Sequence, residues 1–233
     1  MQHPLYQNAT YLKSVPTLNL CPEELTHEVA FAGRSNAGKS SALNVITSQK
    51  TLARTSKTPG RTQLINFFPV DETRALVDLP GYGFAKVNIK IKHAWEAGLT
   101  NYILKREALK GLILLMDSRM PPTDNDLQML DWTLSINLPV HVLLTKSDKL
   151  KKGPAKAELL KLKQLLKEQY PHATAQLFSS LKREGLDQVW KKLDDWMEYE
   201  RPVKEKTEID VTSKKHRPGK KKPKTKGNIR RFN

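Results

Sequence analysis

Residues 28–41 read EVAFAGRSNAGKSS, and the prediction of the fold class begins from this segment. A short apolar run ends at Gly33, and Gly38, Lys39 and Ser40 follow. Short apolar runs are typical of buried parallel strands, and G-x-x-x-x-G-K-[ST] after a strand is typical of a phosphate-binding loop. In such a loop, backbone N–H groups and the lysine bind phosphate oxygens, and the serine hydroxyl binds Mg²⁺. Residues 33–40 therefore predict a nucleoside triphosphate site.

Apolar runs alternate with helical periodicities along the rest of the chain. After the run at 29–32, strands are predicted at 64–70, 73–77, 112–116, 140–144 and 175–178, and helices at about 39–47, 89–108, 123–135, 155–169 and 184–198. Thr123, with Asp126 three residues later, is a helix start signal. This alternation predicts an α/β fold, a doubly wound and mostly parallel sheet with helices on both faces, whose ligands bind at the carboxyl ends of the strands.

The predicted domain covers residues 28–200, with an extension on each side. Residues 1–27 contain three prolines and have no clear period, so they predict an irregular lead-in with one short helix near residues 9–13. Residues 201–233 are predicted to be a basic, disordered tail, because they offer little apolar surface to bury.

The charge of the chain is concentrated at its C-terminal end. The net charge is +16 over 233 residues, and residues 212–233 contain ten Lys or Arg and no Asp or Glu, so that segment carries +10 and the remainder +6. A basic tail on a mildly basic body predicts a polyanionic partner. RNA phosphates are one interpretation, and a solubilising charge run is the alternative.

The single cysteine, Cys21, excludes an internal disulfide. The scattered histidines argue against a structural zinc site, and no apolar run is long enough to span a membrane. We therefore expect a cytoplasmic protein without a membrane partner.

A second motif, Asp78-Leu79-Pro80-Gly81, follows the apolar run that ends at Val77. In a nucleotide-binding protein the aspartate of D-x-x-G would hold Mg²⁺ through a water, and the glycine N–H would meet the γ-phosphate. The motif is weak when it stands alone, because many strand-to-loop turns contain it.

The segment Thr58 to Thr62 lies between the first helix and the second strand, where a GTPase keeps its first switch loop. The Thr62 hydroxyl is the candidate ligand that joins Mg²⁺ only when a γ-phosphate is present. A plain Pro-Gly turn is the alternative.

The segment Thr145-Lys146-Ser147-Asp148 follows a predicted strand and matches the guanine-reading pattern [NT]-K-x-D. The Asp148 carboxylate can accept hydrogen bonds from N1–H and the N2 amino group of guanine. Adenine lacks those donors, so a buried aspartate would be left unpaired. Phe178-Ser179-Ser180 follows the last strand, at the place of the loop whose backbone contacts guanine O6.

The segments at 33–41, 56–63 and 78–83 resemble the EngB (YihA/YsxC) family of GTPases, in the class that includes Era, TrmE, EngA and the septins. The resemblance covers about residues 8–200. It implies a Ras-like P-loop GTPase that binds GTP or GDP with Mg²⁺, a role in large ribosomal subunit assembly, and a requirement in cell division and septation. Ribosomal RNA, contacted through the basic surface and tail, is the predicted partner, and a monomer is the predicted state.

The motifs and the resemblance together give the predicted site. Catalytic roles are assigned to Lys39, Thr62 and Gly81, and Mg²⁺ ligands to Ser40 and Thr62. The GTP contacts are Gly33, Arg34, Ser35, Asn36, Ala37, Gly38, Lys39, Ser40, Gly60, Arg61, Thr62, Gln63, Leu64, Asp78, Leu79, Pro80, Gly81, Thr145, Lys146, Ser147, Asp148, Phe178, Ser179 and Ser180.

Two residues bear on the mechanism. Tyr82 stands where Ras-like enzymes place the glutamine that orients water, which predicts slow intrinsic hydrolysis. Asn36 lies where potassium-using relatives place a ligand, so a K⁺ ion near the phosphates is a further hypothesis. A P-loop ATPase or kinase and a passive RNA-binding protein are the alternatives, disfavoured by Asp148 and by the intact Lys39, Ser40 and Asp78.

Overall fold

The computed structural model describes residues 2–53, 64–82 and 89–202, with only the backbone described in 89–96. In these ranges the strands are β1 (Lys13–Val15), β2 (His27–Gly33), β3 (Ile65–Pro69), β4 (Arg74–Asp78), β5 (Leu109–Asp117), β6 (Val140–Thr145) and β7 (Ala173–Leu177). The α-helices are α1 (Lys39–Ile46), α2 (Ile89–Lys105), α3 (Asp124–Ser135), α4 (Lys152–Gln169) and α5 (Leu186–Trp196). Short 3₁₀ turns lie at Tyr6–Asn8, Leu18–Leu20 and Ser147–Lys149.

All the strands named above form one sheet in the order β1-β3-β4-β2-β5-β6-β7. Strands β4, β2, β5, β6 and β7 run parallel to one another, while β3 is antiparallel to both β4 and β1. The carboxyl ends of the parallel strands therefore meet at one edge of the sheet. The predicted fold, a mostly parallel Ras-like sheet, is confirmed.

Each face of the sheet is covered by helices. Successive residues of a strand point to opposite faces, and on β2 Phe31 packs in a cluster with residues of α1 and α5, such as Leu43 and Trp190. Ala30 belongs to the cluster on the other face, which includes residues of α2, α3 and α4, such as Leu130. The strands at the centre are buried on both sides, which explains why they read as continuous apolar runs.

The N-terminal segment differs from the prediction. The predicted helix near residues 9–13 is wrong, because Thr10 and Leu12 donate their N–H groups to the carbonyls of Pro69 and Phe67, each at 3.0 Å. The chain runs extended there and continues into β1, and the Tyr6 side chain is fully buried. The described residues up to Arg201 belong to one compact unit.

The start of α3 agrees with its sequence signal. The Asp126 carboxylate accepts hydrogen bonds from the Thr123 N–H at 2.9 Å and the Thr123 hydroxyl at 2.7 Å. In the part of the chain that the structure covers, we find no helix that combines the length and the apolar character needed to cross a bilayer.

Candidate functional site

The loop between β2 and α1 folds back on itself through two residues with positive φ, Asn36 at 64° and Gly38 at 100°. Gly38 lies in the left-handed region, which side chains rarely adopt. Gly33 is needed for a different reason, since a Cβ there would lie 2.7 Å from the carbonyl oxygen of Leu115 on β5. The two motif glycines therefore allow the turn and its close approach to the sheet.

Lys39 and Asp78 meet beside this loop. Asp78 ends β4, which pairs in parallel with β2 so that Phe31 lies opposite Asp78. The Lys39 ammonium is in direct contact with the Asp78 carboxylate, and Asp78 is buried. Ser40, in the first turn of α1, is half-buried. Parallel pairing of β2 and β4 thus brings the lysine of one motif and the aspartate of the other to the same edge.

The D-x-x-G segment lies against the phosphate loop. The Leu79 N–H donates to the Phe31 carbonyl at 3.0 Å, which extends the β2 pairing past the end of β4. Gly81 lies beside the loop, and a Cβ there would be in van der Waals contact with the Ser35 nitrogen, at 3.4 Å. Pro80, between Leu79 and Gly81 in the chain, is buried.

Tyr82 holds this segment in place from two directions. Its carbonyl accepts the Ser35 N–H at 3.0 Å, and its N–H donates to the Gly33 carbonyl at 3.4 Å. Its buried hydroxyl donates to Asp126 Oδ1 at 2.7 Å. Burial, with the neighbouring Asp126 charge, holds the pKa of Tyr82 well above its usual range. The sequence marked Tyr82 as a departure from Ras-like enzymes but did not indicate this hydrogen bond.

The predicted base-reading segment, residues 145–148, is attached to the phosphate loop, residues 33–40, through two side chains. The Thr145 hydroxyl donates to the Ala37 carbonyl at 2.6 Å. The Lys146 ammonium donates to the Asn36 carbonyl at 2.7 Å. Because β5 lies between β2 and β6, the two motifs come from strands that are not neighbours. These hydrogen bonds fix their relative position.

Asp117, at the end of β5, was missed by the sequence analysis. Its carboxylate accepts from the Lys146 ammonium at 2.9 Å and from two guanidinium nitrogens of Arg119, at 2.8 and 2.7 Å. Hydrogen bonds from Arg119 first, and then from Lys146, hold the pKa of Asp117 well below its usual range. The signal in the sequence was an aspartate ending a buried strand, but one of its two partners, Lys146, comes directly after the next strand, β6.

The base-reading segment and residues 178–180 meet at Asp148. The Ser179 hydroxyl donates to Asp148 Oδ1 at 2.6 Å, and this hydrogen bond lowers the pKa of Asp148. The Ser147 N–H donates to the Phe178 carbonyl at 3.3 Å. Ser179 and Phe178 are fully buried, whereas Ser180 is half-buried. The Asp148 carboxylate is thus held in its ionised form, which is the form that accepts hydrogen bonds.

A groove of about 620 Å³ runs between the base-reading segment and α1. Its lining includes the described residues Gly38, Ser41, Asn44, Val45, Ser48, Gln49, Lys50, Thr145, Lys146, Asp148, Lys149, Ser180, Leu181 and Arg183. A volume of this size is typical of small-molecule sites.

Not all of the predicted site residues are described. The described motifs, residues 33–40, 78–81, 145–148 and 178–180, lie together at the carboxyl edge of the sheet. Gly60, Arg61, Thr62 and Gln63 fall outside the described residues, as does the tail from residue 203, while Leu64 immediately precedes β3 and is partly exposed. The assignment of individual nucleotide contacts stays a prediction.

Comparison with known proteins agrees with this architecture. A family model described as a 50S ribosome-binding GTPase matches residues 28–146. A probable GTP-binding protein EngB of Hydrogenovibrio crunogenus is 74% identical over 208 residues, which is 89% of this chain and 98% of that protein. A probable EngB of Photobacterium profundum is 56% identical over 191 residues, 82% of each chain.

Solved structures share the fold at low sequence identity. A crystal structure of a probable GTP-binding protein EngB matches with a TM-score of 0.59 and 19% identity, over 73% of this chain and 98% of that one. Era, in complex with MgGDPNP and nucleotides 1506–1542 of 16S ribosomal RNA, matches with a TM-score of 0.57 and 22% identity, over 76% of this chain and 58% of Era.

Proposed function

The chain belongs to the EngB family of GTP-binding proteins, and from this we propose that it is a GTP-controlled switch in assembly of the large ribosomal subunit. The GTPase class follows from the family. The ribosomal role, and with it a requirement in cell division and septation, is our proposal. One observation carries the nucleotide part: the Thr145 and Lys146 side chains join the base-reading segment directly to the phosphate loop.

In the proposed complex, the guanine base lies in the groove beside Asp148, which would accept from N1–H and the N2 amino group. The hydrogen bond from Ser179 supports this role, because it favours the ionised carboxylate. Ser180 would offer its backbone to O6, and the stem of Lys146 would lie along the base. An adenine base would leave Asp148 without donors, so ATP should bind far more weakly.

The triphosphate would lie over the loop at residues 33–40, where backbone N–H groups and the positive end of α1 favour anions. Lys39 would transfer part of its contact from Asp78 to the phosphate oxygens. The Gly81 N–H would meet the γ-phosphate, and the closeness of Gly81 to Ser35 supports this role. Thr62, together with Gly60, Arg61 and Gln63, would complete the site.

GTPases of this family generally use Mg²⁺, and the side chains present suit it. The Ser40 hydroxyl and the Asp78 carboxylate are hard oxygen donors, which Mg²⁺ prefers. Within the described ranges, no cluster of three or more His, Cys, Asp or Glu could hold a metal ion. Mg²⁺ would therefore depend on Ser40, Thr62 and phosphate oxygens, with Asp78 acting through water. The ion would neutralise the charge of the phosphates.

We propose that intrinsic hydrolysis is slow. Tyr82 follows Gly81, and its hydroxyl is engaged by Asp126 rather than free to orient a water molecule. A partner such as the large subunit would then accelerate turnover.

A K⁺ ion near Asn36 would supply, close to the phosphates, the positive charge that an arginine finger supplies in other GTPases. Asn36 is exposed in the loop between β2 and α1, and we propose that its side-chain oxygen is a ligand of this ion. Turnover in KCl should exceed turnover in NaCl at equal ionic strength, and equal rates would end the potassium hypothesis.

A cytoplasmic monomer, with its GTPase domain at residues 28–200 and a basic tail beyond, would meet ribosomal RNA through its positive surface. The net charge of +16 supports a polyanionic partner.

The test is GTP hydrolysis by the full chain, with and without purified large-subunit particles, over a range of salt concentrations. We expect stimulation by the particles that weakens steeply with salt, and competition by GDP but not by ADP. Hydrolysis that the particles do not change would refute the ribosomal role and leave the GTPase assignment standing.

A further inference from the structure

Helix α4 separates its charges onto two flanks. Its buried side carries Ala155, Leu162 and Leu166. At about 100° per residue, one flank collects four of the five lysines of the helix within an arc of about 60°. These four are all exposed and form the set that we call the lysine flank: Lys152, Lys156, Lys163 and Lys167.

The acidic residues of α4 lie away from the lysine flank. Glu158 pairs with the fifth lysine, Lys161, at 2.8 Å. Glu168 accepts a hydrogen bond from Gln164 at 3.1 Å. Among the residues that the structure describes, no carboxylate lies within 4.0 Å of a lysine-flank ammonium.

This arrangement is unfavourable for the isolated helix. Lys152 with Lys156, and Lys163 with Lys167, are like charges four residues apart, which repel each other. If these exposed positions served only solubility, we would expect Glu and Lys, rather than two lysines, to lie four residues apart. The repulsion would be relieved by an anionic partner.

The lysine flank lies on a helix that packs against the edge of the sheet. Helix α4 packs against β7, the last strand of the sheet. Along α4 itself, the lysine flank extends for about 22 Å from Lys152 to Lys167, at 1.5 Å per residue.

We propose that the lysine flank of α4 is a docking surface for the phosphate backbone of double-stranded RNA. That this RNA is ribosomal rests on the function proposed above, whereas the surface itself does not. The flank has no aromatic side chain on which an unpaired base could stack, which disfavours single-stranded RNA. The flank also lacks arginine, whose guanidinium could donate hydrogen bonds to base edges. It would therefore recognise the charge and shape of the RNA rather than its sequence.

The test compares two full-length variants that lose the same charge. The flank variant combines Lys152→Gln, Lys156→Gln, Lys163→Gln and Lys167→Gln. The control variant changes exposed lysines outside the lysine flank, with Lys13→Gln, Lys105→Gln, Lys161→Gln and Lys191→Gln. Binding to large-subunit particles and to deproteinised large-subunit RNA is measured from low to high KCl.

For the flank variant, the slope of log K against log salt should become shallower by about 3, since each lost phosphate contact removes about 0.7–0.9. Its affinity at physiological salt should fall at least tenfold. The control variant should lose less than threefold, and GTP affinity should stay unchanged in both. Leu160, 67% exposed beside the flank, supplies a further variant: Leu160→Ala should not weaken binding.

The outcomes separate this inference from the proposed function. If the wild type binds particles and the flank variant keeps the wild-type slope, or the control loses as much, the docking surface is wrong and the ribosomal role survives. If the wild type binds the free RNA through the flank but not the particles, the surface stands and the ribosomal role fails. If it binds neither RNA nor particles, both fail. Loss of particle binding with Leu160→Ala, without binding to free RNA, would indicate a protein partner and overturn the RNA assignment.

Discussion

Tyr82 links the phosphate loop, at the carboxyl edge of the sheet, to helix α3 on one face of the sheet. Its backbone pairs with Gly33 and Ser35, and its hydroxyl donates to Asp126, which also caps α3. A γ-phosphate can contact both the phosphate loop and Gly81 only if the loop and the D-x-x-G segment lie side by side. The backbone hydrogen bonds of Tyr82 hold them in that position. We therefore expect Tyr82 to act as a positioning residue for the GTP-bound arrangement.

Substitution Tyr82→Phe should lower the affinity for a non-hydrolysable GTP analogue five- to tenfold and leave the GDP affinity within twofold. The loss corresponds to about 1–1.4 kcal/mol, in the range for one net hydrogen bond. GDP should be spared because it has no γ-phosphate to meet Gly81. Titration with fluorescent nucleotides measures both affinities.

A matched control exists in Tyr102, whose buried hydroxyl donates to Glu28 at the same distance of 2.7 Å. Substitution Tyr102→Phe removes the same type of hydrogen bond far from the motifs, so it should reduce stability without changing the ratio of the two affinities. A similar change in that ratio for both variants would show that Tyr82 acts only through stability.

We expect Asp117 to be a second positioning residue, because it accepts a hydrogen bond from Lys146, which in turn contacts the phosphate loop. Substitution Asp117→Asn removes the negative charge that holds Lys146 and Arg119, and should weaken GTP and GDP alike by about tenfold, corresponding to about 1.4 kcal/mol for a charge-assisted contact. Asp131→Asn, at a partly exposed carboxylate bonded to Tyr170, should change neither affinity. Calorimetry gives both values, and an unchanged affinity for Asp117→Asn would contradict the assigned role.

At the scale of elements, the long periodic segments were predictable and the exceptions have physical causes. The strand β1 has three residues, too few for an alternation to be recognised. Helix α4 begins at Lys152 rather than at 155. Pro154 can lie in its first turn, because an N–H at that position would have no partner within the helix.

The site motifs could be predicted because each is local in sequence and follows a strand. The contacts of Asp117 with Lys146 and of Tyr82 with Asp126 could not, since each joins residues at least 29 positions apart. Such pairings depend on strand order, which the local pattern does not specify.

The β6–β7 pair buries a histidine whose charge state should affect stability. His141 lies between Thr174, at 2.7 Å, and Gln176, at 2.8 Å. Burial is the main cause that lowers its pKa from 6.5 to about 4, and Lys192 and Lys163 act in the same direction. The unfolded chain therefore takes up this proton at a higher pH than the folded chain does.

The contribution of His141 to stability should be complete above about pH 6.5 and should be lost as the pH falls towards 4. The loss is about 3 kcal/mol, from about 1.4 kcal/mol per pKa unit. Urea unfolding at pH 7, 5.5 and 4 measures it, and the same series on His141→Gln should be flatter by that amount. An equal pH dependence in the variant would contradict the buried neutral histidine.

For the whole molecule, the two ends of the compact unit meet at one buried carboxylate. Asp194 on α5 accepts from the Tyr6 hydroxyl at 2.8 Å and contacts His3 Nε2 at 3.1 Å. Arg201, the last residue of the unit, also pairs with Asp194. Residues that the sequence placed in an irregular lead-in thus close the fold against its last helix.

Substitution Asp194→Asn should reduce the free energy of unfolding by about 2–4 kcal/mol, because it leaves His3, Tyr6 and Arg201 without their shared acceptor charge. Asp195→Asn is the matched control, since Asp195 is the exposed neighbour on the same helix and should change stability by less than about 0.5 kcal/mol. Chemical unfolding measures both variants.

The same carboxylate gives an acid dependence with a defined sign. Burial works to raise the pKa of Asp194, but hydrogen bonds from His3, Tyr6 and Arg201 outweigh it and hold the pKa below its usual range. Its stabilisation is then present above the unfolded value near pH 4 and is lost as the pH falls through the folded pKa. Below pH 4 the wild type should therefore approach the stability of Asp194→Asn, whereas a constant difference between them down to pH 2 would show that the charge of Asp194 does not hold the two ends together.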